Sequence, residues 1–438
     1  MIGNIILIIA AVCEISFALY RICTKSYQKK IKAMIRIGAF AAFLIFTLAS
    51  VIEWSFRWMG LGLLLLVWAL LGVWTLIRSK EEHKEYKSSR VIRNTIAMLM
   101  LVVIAIIPAL VFPQYHLLPV TGKYQVATSS YTYVDKNRIE QFTDTGENRH
   151  VNVEFWYPEQ VDETYPLLVF SPGAFGSKGS NTSTYMELAS HGYVVCAIDH
   201  PYHSYYTESE DGNRTFIDSG YMQEVNGSNM GKYTVEQMYG LIQKWMKLRT
   251  DDMNFVIDTI LEKAKTSSDQ VYALVNTQKI GVFGHSMGGA ASTWLGRERN
   301  DVGAVVNIDA AMFGELVYNK ETDDFAASNK TYTTPLLNIY SDAVWVQLLQ
   351  RNSKSPYAAN KVIDKNGKVV HTVHFQGAEH MSLTDLSLIS PLISNVLQGG
   401  RMAEINPYYC LETMNHILVQ FFDCYLKGQG SFTSAGTY

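Results

Sequence analysis

Hydrophobic positions follow two different patterns along the 438 residues of the chain. The first quarter contains four long apolar segments, each near the ~20 residues that a helix needs to cross about 30 Å of hydrocarbon. These segments cover residues 5–20, 37–52, 58–77 and 95–112. A cleaved signal peptide would supply only one such segment, so four of them predict a retained membrane region of four transmembrane helices.

From about residue 120 the pattern changes to short β-branched runs that alternate with helical periodicity. Strands are predicted at 150–157, 166–171, 193–198, 279–283, 302–308, 335–340 and 369–375, and a long helix at 234–263. Strands separated by helices indicate a mostly parallel sheet covered by helices, with functional groups at the carboxyl ends of the strands. We therefore expect a transmembrane anchor at residues 1–118 and an α/β domain at 119–438.

Basic residues predict how the anchor is oriented. Twelve Lys/Arg lie in two connections, six in the first (Arg21, Lys25, Lys29, Lys30, Lys32 and Arg36) and six in the third (Arg78, Lys80, Lys84, Lys87, Arg90 and Arg93). The short second connection has only Arg57. Because basic loops face the cytoplasm, the N-terminus and everything after Phe112 should face outward. We expect a multi-pass protein of the cell membrane whose large domain is extracytoplasmic.

The net charge also differs between the region of the apolar segments and the rest of the chain. Up to Leu118, thirteen Lys/Arg stand against five Asp/Glu, a balance of +8; the whole chain has a net charge of −3, so the remainder has −11. An acidic domain is a poor candidate for binding nucleic acid, and we expect no such partner. The basic loops are explained by topology and by the anionic headgroups of the bilayer.

Glu14 lies inside the first apolar segment. An ionisable residue at that depth is a functional candidate by default. The simpler explanation is a protonated or interhelically hydrogen-bonded glutamate, or a span placed a few residues off. The other segments contain no second charge, which argues against a transporter.

Residues 284–288, Gly-His-Ser-Met-Gly, follow the apolar strand at 279–283 and precede a segment that can be helical. This G-x-S-x-G sequence in a strand-turn-helix context predicts a nucleophile elbow. The turn forces the serine into a strained backbone conformation, and the flanking glycines let the strand and helix approach closely. Ser286 is therefore the predicted nucleophile.

Candidates for the other catalytic residues follow later strands, in the order serine, acid, histidine that is typical of α/β-hydrolases. Asp309 ends one strand, Asp342 follows the next, and His380 follows the last through the loop 376–379. A neutral imidazole can accept the serine proton and return it to the leaving alcohol, and a buried carboxylate fixes its tautomer. Position in the fold favours Asp342 as the acid, although an aspartate after a strand is also common as a helix N-cap.

An oxyanion hole requires two backbone N–H groups. Met287, directly after the predicted nucleophile, should supply one, and the turn after the strand at 166–171 should supply the other, from Ala174. Gly173 permits a tight backbone at that turn. An ordinary β-turn would explain the same Ser-Pro-Gly sequence.

These motifs resemble the platelet-activating factor acetylhydrolase family of α/β-hydrolases, from about residue 120 to the end of the chain. The matching segments are Phe155-Trp156-Tyr157-Pro158, Ser171-Pro172-Gly173, Leu188-Ala189-Ser190-His191-Gly192-Tyr193-Val194-Val195, Gly284-His285-Ser286-Met287-Gly288-Gly289-Ala290, Asn307-Ile308-Asp309-Ala310-Ala311-Met312-Phe313 and Gly377-Ala378-Glu379-His380. The resemblance implies that Asp309 is the acid, which reverses the choice from fold position. The Ser-Pro-Gly and Leu-Ala-Ser-His-Gly segments are also similar to bacterial cutinase-like polyester hydrolases, which imply Asp342. Pro172 stands where the acetylhydrolase family has a histidine, so close substrate equivalence does not follow.

We therefore expect a membrane-anchored serine esterase or lipase that acts on lipid-like or short-chain acyl esters, similar to 1-alkyl-2-acetylglycerophosphocholine esterases. We expect no cofactor and no metal, and the sequence leaves the oligomeric state and acyl length open. Residues 205–231 combine aromatic and polar side chains, which fits either a cap over an acyl pocket or a solvated loop. The competing functions are a non-catalytic envelope sensor with a hydrolase fold, and an acyltransferase with the same triad.

Overall fold

The computed structural model describes residues 2–78, 86–160, 163–350 and 355–438. The chain divides into two compact units, each of which makes most of its contacts within itself. The first unit is made of Met1–His116 with Leu388–Ser394, and the second is made of Leu117–Ser387 with Asn395–Tyr438.

Four long helices make up most of the first unit. They are α1 (Ile2–Cys23), α2 (Lys29–Leu48), α3 (Phe56–Ile77) and α4 (Ser88–Val111). Each is long and apolar enough to cross a membrane, with a mean hydropathy of 1.9 to 2.5 over 18 residues. The four predicted spans are therefore present as candidate transmembrane helices. Of the basic residues used to predict their orientation, Lys80 and Lys84 lie outside the described residues.

Small residues let neighbouring helices of this unit approach closely. A Cβ added to Gly72 of α3 would lie 2.9 Å from the carbonyl oxygen of Ala33 in α2. A Cβ added to Gly60 of α3 would lie 3.0 Å from the carbonyl oxygen of Ala105 in α4. Glycine at such contacts is typical of membrane helices, because lipid gives no hydrophobic force between them and van der Waals packing has to replace it.

Glu14 has cationic neighbours in the helices around it. The pattern predicted the second span at 37–52, but α2 begins at Lys29 because lysine and arginine are good helix formers. Lys32 and Arg36 therefore lie in the first turns of α2, and both interact electrostatically with Glu14, as does Arg21 of α1. Glu14 therefore has side chains of opposite charge on α1 and α2 with which its carboxylate can interact.

After α4 the chain alternates strands with helices. In chain order the elements are β1 (Val126–Ile139), β2 (Asn148–Pro158), β3 (Tyr165–Ser171), α5 (Thr182–Ser190), β4 (Val194–Asp199), β5 (Tyr206–Glu208), β6 (Arg214–Phe216), α6 (Ser219–Asn229), α7 (Val235–Thr266), α8 (Gln270–Ala273), β7 (Val275–His285), α9 (Met287–Glu298), β8 (Val302–Ile308), β9 (Leu316–Asn319), β10 (Asp324–Ala327), β11 (Leu336–Ser341), α10 (Asp342–Leu349), α11 (Ala358–Asn366), β12 (Val370–Phe375), α12 (Leu386–Ile389), α13 (Pro391–Leu397), α14 (Pro407–Phe422) and β13 (Gly436–Thr437). Short 3₁₀ helices cover Phe313–Glu315 and His380–Leu383, and Asp423–Lys427 extends α14 as a π-helix.

The central sheet of the second unit has the order β1-β2-β4-β3-β7-β8-β11-β12-β13. β1 pairs antiparallel with β2, and β2 pairs antiparallel with β4. All neighbouring pairs from β4 to β13 are parallel. The predicted mostly parallel sheet is confirmed, with an antiparallel hairpin added at one end.

Helices cover both faces of the sheet because successive side chains of a strand point to opposite sides. Val169 of β3 and Val282 of β7 belong to one buried cluster with Met253 of α7. Their neighbours Phe170 and Phe283 lie on the other face. There Phe170 packs on Tyr185 of α5, with ring centroids 5.0 Å apart, and Phe283 packs on Phe422 of α14 at 5.9 Å.

Adjacent strands of this parallel part all end at the same edge of the sheet. β3, β7, β8, β11 and β12 are consecutive neighbours, so the residues that follow them are brought together. This edge is where ligand groups lie in open α/β sheets.

Candidate active site

Ser286 occupies a sharp turn between β7 and α9. β7 ends at His285 and α9 begins at Met287, so Ser286 alone connects the strand to the helix. Its backbone has φ 54° and ψ −126°, a conformation that a residue with a Cβ adopts only where its surroundings hold it. The Ser286 N–H donates to the Ile308 carbonyl at 2.8 Å, which ties the turn to the end of β8. This is the backbone geometry of a nucleophile elbow.

The glycines on either side of Ser286 make backbone contacts that leave no room for a side chain. A Cβ added to Gly284 would lie 2.4 Å from the carbonyl carbon of Gly288. A Cβ added to Gly288 would lie 1.9 Å from the carbonyl oxygen of Ser171. Helix α9 therefore packs directly against the end of β3, and Ser286 lies beside the turn that follows Ser171.

His380 and Asp309 are hydrogen-bonded to each other. His380 Nδ1 and Asp309 Oδ2 are 2.7 Å apart. The Asp309 side chain is fully buried, whereas 31% of the His380 side chain is exposed. The carboxylate also accepts hydrogen bonds from the Ser341 N–H at 2.6 Å and from the Ser341 hydroxyl at 2.8 Å. The carboxylate is thus held in place, and the His380 ring keeps Nε2 on the side away from it.

His285 links the elbow to the backbone of His380. His285 Nε2 lies 3.0 Å from the His380 carbonyl oxygen, and the two ring centroids are 4.5 Å apart. Because a carbonyl only accepts, Nε2 is the protonated nitrogen of His285. Burial, followed by the neighbouring His380, lowers the pKa of His285 to about 3, so the ring is neutral at ordinary pH. We assigned His285 no role from the sequence, where it is merely the variable position of the elbow.

Asp342, the acid favoured by fold position, contacts other groups. Its Oδ1 lies 2.6 Å from His374 Nε2, and its Oδ2 accepts the Gly377 N–H at 2.6 Å. The Asp342 N–H donates to the Ala378 carbonyl at 2.9 Å. Asp342 therefore fixes the loop between β12 and His380, and the structure brings Asp309, rather than Asp342, against the His380 ring.

The turn after β3 also lies beside Ser286. A Cβ added to Gly173 would lie 3.2 Å from both Ser286 Cβ and His285 Nδ1. In the part of the chain that the structure describes, the Ala174 N–H has no hydrogen-bond acceptor. The Met287 N–H, at the first position of α9, has none within its helix. Both N–H groups expected to form the oxyanion hole are thus available near the serine.

Arg249 of α7 holds this turn through its carbonyl groups. Arg249 Nη1 donates to the Pro172 carbonyl at 2.5 Å, and Nη2 donates to the Gly173 carbonyl at 3.1 Å. The side chain is fully buried. Sequence reasoning missed this residue. The available signal was an arginine on the apolar face of a predicted helix, between the buried Met246 and Met253.

A second serine-histidine-aspartate arrangement lies behind the turn. Ser171 Oγ is 2.8 Å from His200 Nε2, and His200 Nδ1 is 2.9 Å from Asp252 Oδ2. Asp252 is paired with Arg149 at 2.8 Å. Burial, then the charges of Arg249 and Arg149, lowers the pKa of His200 to about 4, so the ring is neutral and accepts the Ser171 hydroxyl proton in a hydrogen bond. Because Ser171, His200 and Asp252 are all fully buried, no substrate can reach them, and the arrangement is structural.

Residues 205–231 form the β5–β6 hairpin and α6. Tyr221 anchors this segment next to the elbow, because its hydroxyl donates to Met287 Sδ at 3.2 Å and its ring stacks on His203 at 3.6 Å. Phe175, directly after Ala174, packs against Tyr205 at 5.2 Å and Tyr221 at 5.8 Å. The segment therefore contacts Met287 and, through aromatic packing, Phe175, the residue that follows Ala174.

None of the groups described above forms a metal site. Within residues 2–78, 86–160, 163–350 and 355–438, no cluster of three or more His, Cys, Asp or Glu side chains could hold a metal ion. The buried carboxylates near the elbow are bonded to His380, Ser341 and arginine side chains instead.

The chain is similar to known proteins, and the family match covers its α/β part. The family model for platelet-activating factor acetylhydrolase, isoform II, matches residues 124–435. Platelet-activating factor acetylhydrolase of Canis lupus familiaris is 30% identical over 149 residues, 30% of this chain and 32% of that protein. A probable 1-alkyl-2-acetylglycerophosphocholine esterase of Arthroderma benhamiae is 29% identical over 152 residues, 35% of this chain and 33% of that protein. The matched regions span about a third of the length of these relatives.

A solved structure is similar to most of the chain. Ferulic acid esterase from Streptomyces cinnamoneus superposes with a TM-score of 0.55 at 20% identity, over 72% of this chain and 94% of that chain. At this level of identity the likeness shows the fold alone. It confirms the predicted α/β-hydrolase fold.

Proposed function

The chain belongs to the platelet-activating factor acetylhydrolase isoform II family, and on that premise we propose that it hydrolyses carboxylic esters through an acyl-enzyme on Ser286. The observation that supports this most strongly is the 2.7 Å contact of His380 Nδ1 with buried Asp309, at the sheet edge where the strained turn of Ser286 lies. A strained residue at a functional edge is typical of a nucleophile.

In the proposed acylation, Ser286 Oγ attacks the ester carbonyl carbon while its proton passes to His380 Nε2. The Nδ1–H of His380 donates to Asp309, so Nε2 is the unprotonated nitrogen before attack. The buried carboxylate then stabilises the imidazolium. When the tetrahedral intermediate collapses, the C–O bond to the alcohol breaks, and the alcohol takes the proton from Nε2.

Deacylation uses the same groups with water as the nucleophile. His380 Nε2 accepts a proton from water as its oxygen attacks the acyl carbon, and the proton returns to Ser286 Oγ as that bond breaks. The products are the carboxylic acid and the free serine. Both steps place negative charge on the former carbonyl oxygen. The proposed donors to that oxygen are the N–H groups of Ala174 and Met287.

For substrates we propose lipid-like or short-chain acyl esters. Relatives are named for platelet-activating factor and 1-alkyl-2-acetylglycerophosphocholine, and four candidate transmembrane helices would keep the enzyme at a bilayer. The two basic connections support an orientation in which the hydrolase unit lies outside the cytoplasm. Pro172, in place of the family's histidine, is a reason to test several headgroups.

The test is ester turnover by the purified full-length protein and its Ser286→Ala variant. A panel of p-nitrophenyl esters from acetate to palmitate, with 1-alkyl-2-acetylglycerophosphocholine, defines acyl length and headgroup. The variant should retain less than about a thousandth of wild-type kcat, because the serine, histidine and acid act as one unit. More than a tenth of wild-type turnover would contradict the mechanism, and product appearing on an alcohol acceptor instead of as free acid would indicate acyl transfer.

A further inference from the structure

Among the residues that the structure describes, no carboxylate pairs with the buried cation of Arg249. Its side chain has no solvent exposure, and Nε has no hydrogen-bond partner in the described part of the chain. Asp252, one turn further along α7, pairs with Arg149 and Arg138 instead. Taking an arginine out of water is costly, and buried arginines are usually paired for that reason. An arginine that serves only to stabilise the fold would be expected to have a carboxylate beside it.

The two groups that Arg249 binds determine the direction of neighbouring N–H groups. Arg249 donates to the carbonyl of Pro172 and to the carbonyl of Gly173. In a trans peptide the C=O and the following N–H point in opposite directions. The Gly173 N–H and the Ala174 N–H are therefore both directed away from the guanidinium. Pro172 itself has no N–H, so these are the donors that the turn can offer.

The positive charge of Arg249 influences the pKa values of side chains behind the elbow. After burial, it is the largest influence lowering the pKa of His203, which lies well below its usual value. Burial raises the pKa of Tyr221, and Arg249 opposes that rise. Screening is weak for a fully buried charge. An anion that forms on the far side of the Pro172–Ala174 turn would experience the same positive field.

We propose that Arg249 is the positioning residue of the oxyanion hole. It fixes the peptide between Gly173 and Ala174 so that the Ala174 N–H points to the oxyanion formed at Ser286, and it adds a positive charge behind that N–H. The proposal rests on the proposed function, because the hole exists only if Ser286 is the nucleophile. Arg249 touches no reacting atom, and it acts through the backbone that it holds.

The test compares three variants of the full-length protein. Arg249→Met removes the charge and both hydrogen bonds, while Arg249→Lys keeps the charge and one donor group. Thr250→Val is the matched control, because Thr250 is equally interior to α7 and its hydroxyl bonds only within that helix, to the Met246 carbonyl at 2.9 Å. Each is assayed for kcat and KM with p-nitrophenyl acetate and for inhibition by an alkyl trifluoromethyl ketone, which forms an anionic tetrahedral adduct on a serine.

Arg249→Met should lower kcat by about 100-fold or more while KM changes less than about threefold, because an oxyanion donor acts mainly in the transition state. The trifluoromethyl ketone should lose affinity by the same factor as kcat/KM. Arg249→Lys should recover about tenfold of the lost kcat, and Thr250→Val should match the wild type. A purely structural role would lower the amount of folded enzyme without changing inhibitor affinity per active site.

Three outcomes would overturn the proposal. The first is a folded Arg249→Met variant with kcat within threefold of wild type, and the second is a loss in kcat without a loss of ketone affinity. If Arg249→Met does not fold, Arg249→Lys becomes the test. A wild-type kcat in Arg249→Lys is then the third outcome. Ser286→Ala separates this failure from failure of the proposed function: an inactive Ser286→Ala beside an active Arg249→Met refutes only the role of Arg249.

Discussion

Replacing Asp309 by asparagine should misdirect the proton of His380 without changing the shape of the site. The Asp309 carboxylate accepts three hydrogen bonds, two from Ser341 and one from His380. The Ser341 N–H is a fixed donor at 2.6 Å, so the asparagine oxygen has to occupy the Oδ1 position. The asparagine NH₂ then takes the Oδ2 position, where the Ser341 hydroxyl can rotate to accept it but His380 Nδ1–H cannot.

His380 would therefore shift its proton to Nε2 and lose the ability to accept the proton of Ser286. The same tautomer change in a serine protease lowers kcat by about 10⁴-fold, which is about 5 kcal/mol of transition-state stabilisation. We expect a loss of this size in Asp309→Asn, with KM little changed. The matched control is Asp342→Asn. There the Gly377 N–H fixes the amide oxygen, and His374 can accept from the NH₂, so the loss should stay below about tenfold.

Steady-state kinetics of both purified variants with p-nitrophenyl acetate show which aspartate is the acid, and circular dichroism confirms that both variants fold. A larger loss in Asp342→Asn than in Asp309→Asn would make Asp342 the acid and refute the reasoning from contacts. Equal, small losses in both variants would mean that the acid lies elsewhere.

Three further predictions concern the elbow, the buried histidine and the anchor. Gly288→Ala should lose about 3 kcal/mol or more of unfolding free energy in urea, because its Cβ would lie 1.9 Å from the Ser171 carbonyl oxygen. A Cβ added to Gly240 in α7 would meet no atom within 4 Å, so Gly240→Ala should instead gain up to about 1 kcal/mol of unfolding free energy from its higher helix propensity. Equal changes in the stability of the two variants would contradict the packing argument. Burial lowers the pKa of His285 to about 3, so the stability that its neutral ring contributes is present above the unfolded pKa of about 6.5 and is lost as pH falls below it. Between pH 7 and 4.5 the wild type should therefore lose roughly 2 to 3 kcal/mol more unfolding free energy than His285→Asn, and parallel stability curves of the two proteins would exclude this. Protease added to intact protoplasts should release a fragment that begins after Phe112, whereas protection until lysis would invert the orientation.

Features set by nearby residues were predictable from the sequence. The elbow depends on two glycines, a serine and an apolar strand that are contiguous in the chain, and the fold keeps them as a strand-turn-helix. Strands β8, β11 and β12 begin within one residue of the predicted positions, because buried parallel strands are continuous apolar runs. β1 was missed because it is half-exposed at the end of the sheet, where polar residues interrupt its pattern.

Features set by distant contacts were not predictable from pattern alone. Asp309 and Asp342 both follow neighbouring parallel strands, and position in the fold favoured Asp342. Which carboxylate meets His380 depends on the left-handed backbone of Asp309, at φ 58°, and on the loop that Asp342 fixes through Gly377. Only the family resemblance indicated Asp309. Arg249 bonds to a carbonyl 77 residues away, and no local sequence pattern encodes that contact.

Covalent labelling by a fluorophosphonate, which reacts with activated serines, would identify the nucleophile of this site. The purified full-length protein is treated with the probe, digested, and mapped by mass spectrometry. We expect one adduct per chain, on Ser286, formed by wild type and Thr250→Val and absent from Ser286→Ala. An adduct on another serine, or no adduct on folded protein that turns over esters, would contradict Ser286 as the nucleophile.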